Sequence, residues 1–223
     1  MALQIREGGA PSMKIKGKAD VVFCIDGTGS MRQCIENLKN HISDFVESLN
    51  SGNNVFINWR LRTITYKDLE FGEQIQTSNH FVTKVEDFQS QLTTVRVGGG
   101  GSDGPESTLD AIIYAAKTSD WREAHKIIVV FTDARTKEIH SSTKDIYGIH
   151  DMDELRKYLM DNHIKLFLWG KDDRHYNDLK IVPKAEITIM ANPHAELSSE
   201  VNMADLLTLM GKTLSTEAAG KAT

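Results

Sequence analysis

The chain has 223 residues, 40% of them hydrophobic and 26% charged, with a formal net charge of −5 at pH 7. That length suits one sizeable α/β domain and is short for two. The acidic balance argues against a general nucleic-acid binder, which carries a basic excess, and no apolar run approaches the about 20 residues that a membrane-spanning helix needs.

Residues 1–18 contain Gly and Lys without apolar periodicity and are expected to form a flexible N-terminal arm ahead of a domain over 19–215. The first residues also lack the apolar core of a secretory signal. Val21-Val22-Phe23-Cys24-Ile25 reads as a buried strand of a parallel sheet. Ser30 to Leu49 follows as a helix, with Met31, Cys34, Ile35, Leu38, Ile42, Phe45, Val46 and Leu49 on one stripe, stopped at Gly52. Val55 to Tyr66 alternates as a long strand. A weaker strand is expected near His80 to Thr83, then a helix over Val85 to Leu92.

Gly98 to Gly101 breaks regular structure. Leu109, Ile112, Ile113 and Ala116 mark the next helix, with Pro105-Glu106 expected in its first turn. Lys126 to Thr132 is a second buried strand, and Asp133 follows it. A long polar loop then runs to His150 before a helix marked by Met152, Leu155 and Leu159. Ile164 to Trp169 and Ile187 to Met190 read as strands. Met203, Leu206, Leu207, Met210 and Leu214 make a closing helix, and 216–223 are expected to fray. Strands and helices alternate, so the fold class expected is α/β, a doubly wound and mainly parallel sheet flanked by helices.

In such a sheet the loops after the strands open on one edge, where ligands bind. Three loops carry oxygen donors there. Asp26-Gly27-Thr28-Gly29-Ser30 places a carboxylate and two hydroxyls at alternate positions. Ser102-Asp103-Gly104-Pro105-Glu106 follows the glycine run, whose residues can adopt backbone angles that a Cβ would forbid. Thr132-Asp133 ends the second apolar strand. Oxygen donors of this kind suit a hard cation such as Mg²⁺.

On these residues the chain resembles the von Willebrand factor type A family and its metal-ion-dependent adhesion site. That family has Asp-x-Ser-x-Ser after its first strand, a Thr in a second loop and an Asp after its fourth strand. Asp26, Thr28 and Ser30 match the first element, with Thr replacing the first Ser, and Asp133 matches the last. The middle element departs from the pattern: Gly98 to Glu106 contains no Thr, and Asp103 is the best occupant, with Ser102 the alternative. Tyr66-Lys67-Asp68 resembles the branch of the family that carries a Gly-Gly-Gly-Asp-like loop.

The resemblance implies one Mg²⁺ (or Mn²⁺ or Ca²⁺) bound directly by Thr28 and Ser30, with Asp26 and Asp133 acting directly or through waters. It implies a non-enzymatic module that binds a protein partner through an acidic residue completing the coordination, with no nucleic-acid or membrane partner.

Other readings stand beside this one. Thr28 or Ser30 can serve simply as a helix N-cap. An apolar strand followed by Asp-Gly-Thr is also found in haloacid-dehalogenase-type phosphohydrolases, with Asp26 then the nucleophile beside Mg²⁺. Those enzymes carry a second Asp where this chain has Thr28. Cys24 and Cys34 read as buried free thiols of a reducing cytoplasm, His140 and His150 as solvated, and Lys171 to His175 as a solvated turn.

Overall fold

The computed structural model of the protein describes residues 14–49, 55–78, 80–99, 104–192 and 195–220. Its centre is β1 (Lys14–Asp26). Val21, Phe23 and Ile25 enter one core and Val22 and Cys24 the other, all without solvent exposure. A strand covered on both faces can be apolar without alternation, which is why this run reads as it does.

After β1 come α1 (Arg32–Leu49), β2 (Val55–Tyr66), β3 (Gln76–Thr77), α2 (Val85–Thr93), α3 (Thr108–Thr118), β4 (His125–Phe131) and α4 (Ser141–Tyr147). The chain closes with α5 (Met152–Asp161), β5 (Ile164–Gly170), α6 (Arg174–Leu179), β6 (Glu186–Ile189), α7 (Leu197–Glu200) and α8 (Met203–Gly220). Among the described residues the strands form one sheet in the order β3-β2-β1-β4-β5-β6, parallel except for the β2–β3 pair. This is the doubly wound, mainly parallel α/β sheet that the alternation of elements implies.

Two helical layers cover the sheet. Leu38, Ile42 and Phe45 of α1 share one core with Met203, Leu207 and Met210 of α8. Ile112 of α3, Leu155 of α5 and Tyr176 of α6 share the other. Phe23 is the hub of the first core, with ring centroids 6.0 Å from Phe45, 5.2 Å from Phe88 and 6.3 Å from Phe131. Burying each such ring contributes about 1.5–3 kcal/mol. Gly211 lets α8 lie close to α1, because a Cβ there would stand 2.9 Å from the Phe45 carbonyl oxygen.

Several local expectations need correction. β1 begins at Lys14, and Lys14, Ile15, Gly17 and Lys18 pair with β2 across an irregularity at Lys16, so the end of the expected arm is strand. The backbone of β2 supplies the partners that segment needs, and 1–13 lie outside the described residues, as does Gly52. The edge strand is Gln76–Thr77, whereas His80 to Thr83 contributes only a bridge between Val82 and Leu61. Pro105 and Glu106 precede α3 rather than open it, and Ser107 holds the N-cap position.

The loop toward His150 contains α4, capped by His140, whose Nδ1 accepts from the Ser142 N–H. Lys171 to His175 is no solvated turn: Asp173 accepts from the His175 N–H to start α6, and His175 is buried. α8 runs on to Gly220, into the expected tail, and 221–223 lie outside the described residues.

Candidate functional site

The parallel register pairs Ile25 with Phe131, so Asp26 and Thr132 leave the sheet side by side. From there β1 feeds α1 on one face, while β4 leads through α4 to α5 on the other. Neighbouring strands whose connections diverge in this way open a crevice at the carboxyl edge of the sheet.

Asp26 has no solvent exposure. Its Oδ1 accepts from the Thr28 N–H at 2.9 Å and its Oδ2 from the Thr132 hydroxyl at 2.9 Å. The Thr132 Oγ1 is itself held by the Ala134 N–H at 3.1 Å. In front of this buried carboxylate, Ser30 Oγ donates to Asp133 Oδ1 at 3.0 Å and stands 3.3 Å from Thr28 Oγ1. Thr28 occupies the N-cap position of the 3₁₀ turn Gly29–Met31, yet its side chain makes no capping bond. Ser30 is likewise turned to Asp133 rather than to a backbone N–H, so helix capping does not account for either hydroxyl.

Burial pushes the Asp26 carboxyl up to about 6, against the hydrogen bonds from Thr28 and Thr132. Burial also raises Asp133, opposed by the hydrogen bond from Ser30 and by the charge of Lys171. Cys34 behind them is pushed up to about 12 by burial and then by these two negative charges, which keeps it an unreactive thiol. Deeper still, the Tyr176 hydroxyl donates to Thr108 Oγ1 at 2.9 Å, and Thr108 donates to the Tyr66 hydroxyl at 3.1 Å. This fully buried hydroxyl row feels the Asp26 charge.

A cleft lies over these groups. Thr28, Ser30 and Asp133 form its floor side, with Glu106, Lys171 and Glu196 also lining it. Asp103 and Ser102 lie outside the described residues, but the flanking Gly99 and Gly104 line the same cleft. The Gly98 N–H donates to the Gly27 carbonyl at 3.0 Å, tying the second loop to the first. Gly98, Gly99 and Gly104 have φ of 127°, 73° and 92°, a region where a side chain is strained.

The structure thus brings Asp26, Thr28, Ser30 and Asp133 together. Among the described residues no three His, Cys, Asp or Glu side chains cluster as a metal centre, so the donors here are two carboxylates and two hydroxyls. That set is chemically suited to a hard divalent cation. Its spacing fits as well, since oxygens on one edge of a Mg²⁺ octahedron lie about 3 Å apart given metal–oxygen distances of about 2.1 Å. Asp26 is buried, and each of its carboxylate oxygens accepts a hydrogen bond.

Sequence reasoning missed Lys171, Glu196 and the Tyr66–Thr108–Tyr176 row. Lys171 directly follows β5, a position that places it on the ligand edge. Glu196 carries no comparable signal, because it depends on how the chain folds back after β6.

Residues 20–154 match the family described as von Willebrand factor A domain. The alpha-protein kinase vwkA of Dictyostelium discoideum is 28% identical over 132 residues, 58% of this chain and 21% of that protein. The chain therefore spans about a fifth of that relative's length. Among solved structures, proximal thread matrix protein 1 from the mussel byssus superimposes with a TM-score of 0.58 at 15% identity, over 87% of this chain and 46% of that one. The VWA domain of SpRpn10 gives 0.55 at 15% identity, over 86% and 94%. At such identities the structural likeness is one of fold. No helix among the described residues is long and apolar enough to cross a membrane.

Proposed function

The chain belongs to the von Willebrand factor A domain family, whose domains commonly mediate protein interactions, and on that premise we propose that it recognises a protein partner through one divalent cation. The cation is Mg²⁺, or Mn²⁺ or Ca²⁺ in its place, held in a metal-ion-dependent adhesion site. Thr28 and Ser30 bind it through their hydroxyls, and Asp26 and Asp133 act directly or through waters. Asp103 is assigned to the second-loop position on sequence resemblance alone.

The observation that carries this reading is the row Thr28 Oγ1, Ser30 Oγ, Asp133 Oδ1, with successive separations of 3.3 and 3.0 Å, in front of a buried carboxylate. The bound ion supplies positive charge and one open coordination position for a partner's carboxylate. Asp26 holds Thr28 by its backbone and stays out of solvent, so the ion meets hydroxyls already in place. Lys171 stands in the same cleft and draws an acidic side chain toward it. The buried free thiols Cys24 and Cys34 support a reducing, cytoplasmic setting.

Crystals soaked in Mn²⁺ test the assignment. An anomalous peak between Ser30 and Asp133 is expected. No peak there, with the protein saturated elsewhere, contradicts it.

A further inference from the structure

Glu196 stands at the rim of the cleft that holds Thr28, Ser30 and Asp133. The backbone that carries it is tied down. The Glu200 carboxylate accepts from the Ala191 N–H at 2.9 Å and the Asn192 N–H at 2.8 Å, closing the connection after β6. Leu197, next in the chain, is buried in the core shared with α1. The side chain of Glu196 is by contrast exposed, and although it precedes α7 it makes no capping bond to it. Lys171 lines the same cleft. A fixed base with an exposed carboxylate at the rim of this cleft is the arrangement of a tethered ligand.

We propose that Glu196 is an internal ligand of this site, filling the open coordination position of the ion and leaving only when a partner's acidic side chain displaces it. This rests on the metal reading given above. Asp26, Asp133 and Glu106 already balance a divalent cation and Lys171 in this cleft, so Glu196 is held by direct contact with the ion rather than by an excess of positive charge. Without the ion, Glu196 and Asp133 repel, so the side chain stays in solvent. Tethering raises the effective concentration of this carboxylate to the millimolar range or above, so it outcompetes a weak free ligand. If the internal ligand occupies the position about nine times in ten, an external carboxylate binds about tenfold more weakly than to the open site.

The test compares wild type with Glu196→Gln, using Mn²⁺ as the ion and acetate as the external carboxylate. Glu196 is exposed, so the substitution leaves the fold intact. Water-proton relaxation counts the waters on bound Mn²⁺, and one more is expected in Glu196→Gln than in wild type. Mn²⁺ itself should bind about tenfold more weakly to the variant, while acetate should bind the Mn²⁺-loaded variant about tenfold more tightly. Equal water counts and equal acetate affinities overturn the internal ligand and leave the metal site standing. Absence of Mn²⁺ binding in both proteins overturns the metal reading and this inference with it.

Discussion

Asp20 and Asp26 stand near opposite ends of the buried stretch of β1, and neither has any solvent exposure. Their surroundings differ in kind. Asp20 is gripped by two guanidinium groups, with Arg60 Nη2 at 2.7 Å and Arg122 Nη2 at 2.7 Å, and it also accepts from the Arg122 N–H at 2.8 Å. Burial alone would raise its carboxyl, but the hydrogen bonds from Arg60 and Arg122 and the charge of Arg60 hold it below the ordinary value. Asp26 has hydrogen bonds from Thr28 and Thr132 and feels the like charge of Asp133, and burial lifts it to about 6. One carboxylate is a completed ion cluster that joins strands. The other is met by the Thr28 N–H and the Thr132 hydroxyl, and a buried charge without a charged partner is costly. The same strand therefore carries a closed ion cluster at one end and, at the other, a buried carboxylate held only by hydroxyl and amide donors.

The largest expected effect removes the closed site. Asp20→Ala leaves two guanidinium groups facing each other, and breaking such a cluster costs about 3–4 kcal/mol, the lower part of the range because both arginines keep some contact with water. Urea unfolding at pH 7 measures it, and a cost below about 1 kcal/mol, typical of a surface pair, would erase the contrast. The pH dependence has a definite direction. Because the folded value lies below the ordinary 3.8, the stabilisation is complete above that range and is lost as the pH falls through the lower folded value.

Asp26→Asn should act in the opposite direction. A carboxyl held at about 6 in the fold instead of 3.8 means that the folded state binds the proton more tightly. Stability therefore falls as the pH rises from about 4 to about 6 and is level above that. The neutral amide avoids that loss, and the metal-free variant should be about 2 kcal/mol more stable than wild type at pH 7.5, by urea unfolding in the presence of a chelator. Destabilisation of the size expected for Asp20→Ala would break the comparison.

Tyr176→Phe sharpens it further. The substitution deletes the donor to Thr108 and Ala134 beneath the site and should cost about 1 kcal/mol in thermal unfolding without altering Asp20's end of the strand. The smallest effect is expected of Lys171→Gln. An acidic peptide carrying one Glu should bind the Mg²⁺-loaded protein about threefold more weakly at low salt, and the difference should vanish near 1 M salt.

Much of the site was legible because its strongest signals are local. Val21 to Ile25 ending in Asp26, and Ile127 to Phe131 ending in Thr132-Asp133, are buried parallel strands whose ends share one edge by topology, which brings Asp26, Thr28, Ser30 and Asp133 to one place. The rest is written in long-range pairing. Asp20's partners arrive by strand register, which sets Arg60 beside it, and by the turn that carries Arg122 from the far side of α3. β3, α4 and α6 are short, the two helices are started by single side-chain bonds such as the one Asp173 accepts from the His175 N–H, and none of the three leaves an apolar period. Glu196 reaches the cleft only because Glu200 folds its loop back on Ala191 and Asn192.

The measurement that bears most directly on the uncompensated end of β1 is calorimetric titration of Mg²⁺ or Mn²⁺ into wild type, Asp26→Asn and Asp133→Ala at pH 7.5. One ion should bind to wild type and none to either variant, with both variants still folded. Equal binding in all three proteins, or no binding to wild type, would contradict the assignment of this site to a cation.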